Sequence, residues 1–208
     1  TKPSWADIKY IMSETRISLD NPKSLSLLSD DDFQTLLLEG VSRTFALTIP
    51  QLPEKLYGAV ANAYLLCRIV DTIEDEVSLS AGQKKYFCSE FIDVVKTGVN
   101  AEPFAVELAP LLSEQTIPAE HTLIHVLPRV IQITHTFDED QINALACCVE
   151  TMAEGMPIFQ AQNLHDGLAT LAEERRYPQA GALMSYGTSD RDLFRSAAGY
   201  VDRTLKGA

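Results

Sequence analysis

Positive charge is what this 208-residue chain has least of: 17 Lys and Arg stand against 29 Asp and Glu, a net charge of -12. A nucleic-acid surface needs clustered Lys and Arg, so that class of partner is excluded. Strand-like alternation is missing too, and so is any apolar run of membrane-spanning length. The opening TKPSWADIKY has no apolar core of signal-peptide type, which predicts a cytoplasmic protein, soluble or peripheral to a membrane. The cysteines, Cys67, Cys88, Cys147 and Cys148, make no CxxC pattern. No disulfide framework is expected, and Cys67 and Cys147 read as small hydrophobes on apolar helices. A Gly-rich phosphate loop, a GxSxG elbow and an HExxH pair are all lacking, which removes three further kinds of chemistry. His121 and His125, at i and i+4, have no third ligand in the pattern and read as surface residues.

What is there is helical period almost everywhere, so the fold class is all-α. A short helix is predicted over residues 4–15. Another follows Ser29, an N-cap residue ahead of Asp30, Asp31 and Asp32 in the first turn. Further helices are predicted at 53–77, 80–97, 102–113, 119–136 and 138–164, with Pro118, Pro128 and Pro157 as boundaries or kinks.

The 53–77 helix ends in RIVDTIEDE, where an apolar stretch runs into Asp71, Glu74, Asp75 and Glu76. At helical spacing, Tyr64, Arg68, Asp71 and Asp75 share one stripe, and Glu74 lies beside it within reach of the same point. Two readings are open. An acidic helix end is commonly just solvated, which suits Glu76. That does not explain why the polar stripe continues back to Arg68 and Tyr64 among apolar residues, where bare charge costs several kcal/mol. A Mg2+ ion held by Asp71 and Asp75, completed by water and substrate phosphates, removes that cost. Ser42, Arg43 and Thr44 in GVSRTF add a guanidinium and hydroxyls suited to phosphate, and Phe45 adds an aromatic face.

SRTFALTIPQLP followed by VANAYLLCRIVDTIEDE, and then CVETMAEGMPIFQ, resembles the squalene and phytoene synthase family over residues 4–172, with three motifs in order. The resemblance implies an isoprenoid-synthase-type helical bundle. In it two farnesyl diphosphates condense head to head to presqualene diphosphate, which NADPH reduces to squalene. Phytoene or dehydrosqualene formation is the alternative product. Asp71, Glu74 and Asp75 would bind Mg2+. Ser42, Arg43, Phe45, Tyr64 and Arg68 would hold the diphosphate and first allylic chain, with Tyr64 and Arg68 as the catalytic pair. Met152 and Met156, with Ala153 and Gly155, would wall the isoprenoid.

Beyond residue 172 the family's second Asp-rich motif is not found. AGALMSYGTSDRDLFRSAAGYVDRTLKGA is instead similar to a segment near the C-terminus of bacterial ABC-transporter substrate-binding proteins. That implies a partial synthase domain at 1–172 and an unrelated tail with one short helix at 173–208. Turnover is then expected to be impaired, and a non-catalytic fragment that binds prenyl diphosphate is the rival reading. Missing helices would also leave apolar faces of 53–77 and 138–164 bare, which predicts self-association.

Overall fold

A computed structural model describes residues 19, 25–42 and 44–161 of the chain, the side chains of 155–161 excepted. Among the described residues the elements are all helical. They are α1 (Asp30–Val41), α2 (Phe45–Thr48), a 3-10 turn (Ile49–Gln51), α3 (Glu54–Asp75), α4 (Ala81–Thr97) and α5 (Ala101–Leu108). A second 3-10 turn (Ala109–Leu111), α6 (Pro118–His125), α7 (Leu127–Thr134) and α8 (Glu139–Ala161) complete them. The chain divides into two compact units, Thr1–Val149 and Glu150–Ala208, so that α1 to α7 and the start of α8 lie in the first. The 4–15 helix and the tail fall outside the described residues.

Local signals account for most helix ends. The Ser29 side chain accepts from the Asp32 N–H, and three acids occupy the positive end of the α1 dipole. Ser80 and Gln83 form a reciprocal capping box on α4. That helix stops at Gly98, whose φ of 72° a side chain would resist. The predicted 119–136 helix is two: α6 ends at Val126 and α7 restarts with Pro128 in its first turn, because proline's missing N–H and its ring interrupt the ladder. Pro110 likewise converts the end of the 102–113 helix into a 3-10 turn.

Helix α3 is the centre of the first unit and packs on α1, α4, α6 and α7. Leu65, Leu66, Ile69, Val70 and Ile73 are fully buried, so the expected bare apolar face on this helix is not present. The large apolar groups that are exposed, such as Leu27, Leu47, Val99 and Val106, are spread over other segments. Among the described residues no helix is long and apolar enough to cross a membrane.

A polar thread crosses this core. The Gln34 amide on α1 donates to Gly58 O and to Asn62 Oδ1 on α3, each at 3.2 Å. Asn62 Nδ2 donates to Thr134 Oγ1 on α7 at 2.7 Å, and that hydroxyl donates to Val130 O at 3.0 Å. All three side chains are buried. A satisfied buried network fixes how helices register, and a half-satisfied one is costly. Asn62→Ala is therefore expected to cost about 2 kcal/mol by taking one acceptor from the Gln34 amide and the donor from Thr134 Oγ1, measurable by urea denaturation.

The cysteines are all thiols. Cys67 is buried as expected, but Cys147 is exposed, and it is Cys148 whose sulfur lies 3.6 Å from Cys67 Sγ. The expectation for Cys147 missed by one residue of helical register. The hydrogen bond to Cys148, together with burial, pushes the Cys67 thiol well above its ordinary range. Of the two histidines read as surface groups, His125 is exposed, whereas His121 is half-buried with Nε2 3.1 Å from Ser113 O.

Glu76 is the larger correction. Read as a solvated helix end, it is only 1% exposed. The chain leaves the helix after Asp75 in extended backbone, and this turns the Glu76 carboxylate inward. Oε1 accepts from the Ser78 N–H at 2.8 Å. Oε2 accepts from the Ser113 N–H at 2.8 Å and from the Thr116 hydroxyl at 2.7 Å. Burial alone would raise this carboxyl, but the Ser78 and Ser113 N–H groups and the Thr116 hydroxyl outweigh it and bring it to about 2. Glu76 thus staples the end of α3 to the 112–117 loop that leads into α6.

Candidate functional site

The stripe predicted on α3 is real, and it faces two other elements. At its upstream end, Tyr64 stacks against Phe45 of α2, with ring centroids 4.7 Å apart and planes tilted by 35°. Two segments that the sequence separates by a proline-marked break therefore meet at one place. Ser42 makes the corner that allows this. Its N–H donates to Leu38 O at 2.8 Å to close α1, and its Oγ accepts from the Phe45 N–H at 3.2 Å to open α2. Its hydroxyl oxygen is thus engaged in the backbone corner that delivers Phe45. Arg43 lies outside the described residues.

One turn further on, Arg68 sits between two carboxylates. Its Nη1 is 3.7 Å from Asp71 Oδ2, in an i,i+3 pair along the helix. Its Nε donates to Glu120 Oε1 at 2.8 Å, and its Nη2 donates to the same oxygen. Glu120 stands in the first turn of α6, where the helix dipole favours an acid, and it is 7% exposed. This partner was not foreseen. A lone glutamate beside two histidines gives no hint that it meets an arginine 52 residues earlier.

Among the described residues, Asp71 has more negative than positive charge around it. Burial raises its carboxyl, Arg68 opposes the rise, and Asp75 and Glu120 add to it, for a result of about 6. Among the described residues, Asp71 and Glu120 share the Arg68 guanidinium, and Asp75 adds a further negative charge near Asp71. Asp75 is exposed, one turn beyond Asp71 at the open end of the stripe.

Glu74 does not join this group as the sequence suggests. It is 3% exposed, and its Oε1 takes the Cys88 thiol of α4 at 3.9 Å. Its backbone carbonyl, near the end of α3, accepts from Lys84 Nζ. At +3 from Asp71 the residue lies on the edge of the stripe, and packing of α4 draws it to the apolar side. Among the described residues no cluster of three or more His, Cys, Asp or Glu could hold a metal ion. The acidic set at the stripe is therefore the pair Asp71 and Asp75.

Met152 is half-buried in the second compact unit, and the side chain of Met156 lies outside the described residues. A cavity of about 430 Å3 opens on the α5 side of the first unit, lined by Glu102, Ala105, Val106, Ala109, Pro110 and His125. None of the stripe residues borders it.

An all-α bundle whose central helix carries two acids, an arginine and a tyrosine on one stripe has the architecture of the isoprenoid-synthase type. Residues 38–188 match the family model described as squalene/phytoene synthase, well over half of the 208 residues, and the chain belongs to that family. A stretch of 52 residues is 48% identical to a protein of Solanum lycopersicum named squalene synthase, covering 25% of this chain and 13% of that one. Another of 48 residues is 48% identical to a squalene synthase of Nicotiana benthamiana, covering 23% and 12%. A third, of 66 residues, is 36% identical to squalene synthase BSS of Botryococcus braunii, covering 32% and 14%. The aligned stretches thus span 12 to 14% of the relatives' own lengths. No solved structure matches the chain.

Proposed function

We propose that this chain holds an allylic prenyl diphosphate through a divalent cation at Asp71 and Asp75, as one half-site of a head-to-head prenyltransferase. Relatives named squalene synthase make farnesyl diphosphate the substrate to test, since squalene is two farnesyl units joined head to head. The observation that supports the reading most is the charge deficit on the α3 stripe. Among the described residues, Asp71 and Glu120 both lie against the Arg68 guanidinium, Asp75 follows one turn beyond Asp71, and the half-buried Asp71 is held up near 6. Two carboxylates one turn apart, the outer one exposed, are a donor set that suits Mg2+, which keeps several waters and takes substrate phosphates.

Diphosphate leaves an allylic carbon only as negative charge builds on the departing oxygen, and fixed positive charge beside that oxygen lowers the barrier. Bound Mg2+ supplies most of that charge. Arg68 adds a guanidinium that Glu120 holds by two hydrogen bonds. The stacked Phe45–Tyr64 rings upstream on the same stripe would supply aromatic surface for the carbon left electron-poor. The proposed role covers diphosphate binding and release.

Equilibrium dialysis with radiolabelled farnesyl diphosphate checks this. Retention with Mg2+ that disappears on chelation is expected, and neutral farnesol is expected not to bind. Retention unaffected by chelation, or none at all, would remove the basis of the proposal.

A further inference from the structure

We infer that Glu120 is a positioning residue for the diphosphate site: it holds Arg68 by the Nε–Nη2 edge and so keeps the guanidinium from collapsing onto Asp71. This rests on the half-site reading above. Arg68 and Asp71 are at i,i+3 on one helix, close enough for a hydrogen-bonded ion pair tighter than the 3.7 Å contact present. Such a pair would occupy the carboxylate that the cation needs. Instead, Nη1 stands 3.7 Å from Asp71 Oδ2, a loose contact, while Nε and Nη2 both donate to Glu120 Oε1. The tighter hold comes from the residue on α6 rather than from the neighbour on α3.

Burial makes that hold rigid. Glu120 is 7% exposed, on a helix whose start follows the loop that Glu76 staples to the end of α3. A long arginine otherwise spends much rotamer entropy when it captures phosphate, and a guanidinium already fixed along one edge spends less. The edge taken by Glu120 also decides which one remains: Nη1 is left toward Asp71, on the side where a metal-bound phosphate would sit.

The sign of one mutational effect separates this role from plain electrostatics. Glu120 is a negative charge near a proposed anion site, so removing it should tighten diphosphate binding if charge alone matters. If Glu120 positions Arg68, removing it weakens binding. The experiment is the Mg2+-dependent dialysis of farnesyl diphosphate on wild type, Glu120→Gln, Arg68→Met and the double variant, with circular dichroism confirming that each is folded. The expected result is a loss of about tenfold in Glu120→Gln, and no further loss when it is added to Arg68→Met. A shape-preserving Gln and the double variant guard against a purely structural effect, which would persist without Arg68. Unchanged or tighter binding in Glu120→Gln, or losses that multiply in the double variant, would overturn the inference while leaving the half-site intact. Absence of Mg2+-dependent binding in wild type would overturn both.

Discussion

Asp71→Asn is expected to lower Mg2+-dependent binding of farnesyl diphosphate at least about 100-fold while leaving the fold as stable as before, or more so. The two halves of that expectation have one cause. Asp71 is 20% exposed by side chain, has the charges of Asp75 and Glu120 near it, and shares the Arg68 guanidinium with Glu120. A carboxyl raised from 3.8 to about 6 is one whose charge the folded chain tolerates poorly. An isosteric amide removes that charge, and with solvent screening the gain is on the order of 1 kcal/mol. The same change deletes one of the two anionic ligands of the proposed cation site, beside which Glu74 accepts from the Cys88 thiol. A residue kept at a cost to stability and needed for binding is the signature of a functional group. Thermal unfolding and dialysis on the same preparation check both halves. A variant that binds normally, or one that unfolds, would contradict this account of Asp71.

Glu76→Ala should show the opposite behaviour, with a large loss of stability. Two backbone N–H groups and a hydroxyl converge on its carboxylate, and the residue is 1% exposed. Removing the acceptor leaves buried donors without a partner, which costs about 3 kcal/mol and lowers Tm by roughly 10 °C in a chain of this size. Glutamine is a poor replacement, since its NH2 would face donors, and it should cost about 2 kcal/mol. The acid dependence has a definite sign. The Glu76 carboxyl is lowered from 4.5 to about 2, so its contribution is complete above about pH 4.5 and disappears as the pH falls toward 2. Wild type should therefore lose stability through that window faster than Glu76→Gln. Parallel pH profiles for the two proteins would contradict the stapling role.

These two acids, five positions apart, also show how far a sequence can be read. The stripe through Tyr64, Arg68, Asp71 and Asp75 is legible because a helix repeats every 3.6 residues and the four positions fall on one side. The Ser29 cap and the break at Pro128 are legible because each has a local cause. Glu74 is not, because a residue on the edge of a stripe goes wherever the neighbouring helix draws it, and α4 presents Cys88. Glu76 was hidden for a related reason: two of its three donors lie on a loop 37 and 40 residues away, and an acid past a helix end is by default solvated. Glu120 and the Gln34–Asn62–Thr134 thread are purely tertiary facts, carried by contacts between helices far apart in the chain. Period and punctuation are local, and partners are not.

The central claim is that a divalent cation sits between Asp71 and Asp75 and brings a prenyl diphosphate to α3. Anomalous diffraction from crystals grown with Mn2+ and farnesyl diphosphate tests it most directly. The account predicts an anomalous peak within coordinating distance of both carboxylates, bridged to the diphosphate, with Arg68 still bound to Glu120. A peak elsewhere, or a diphosphate held without metal while Asp71 closes onto Arg68, would contradict it.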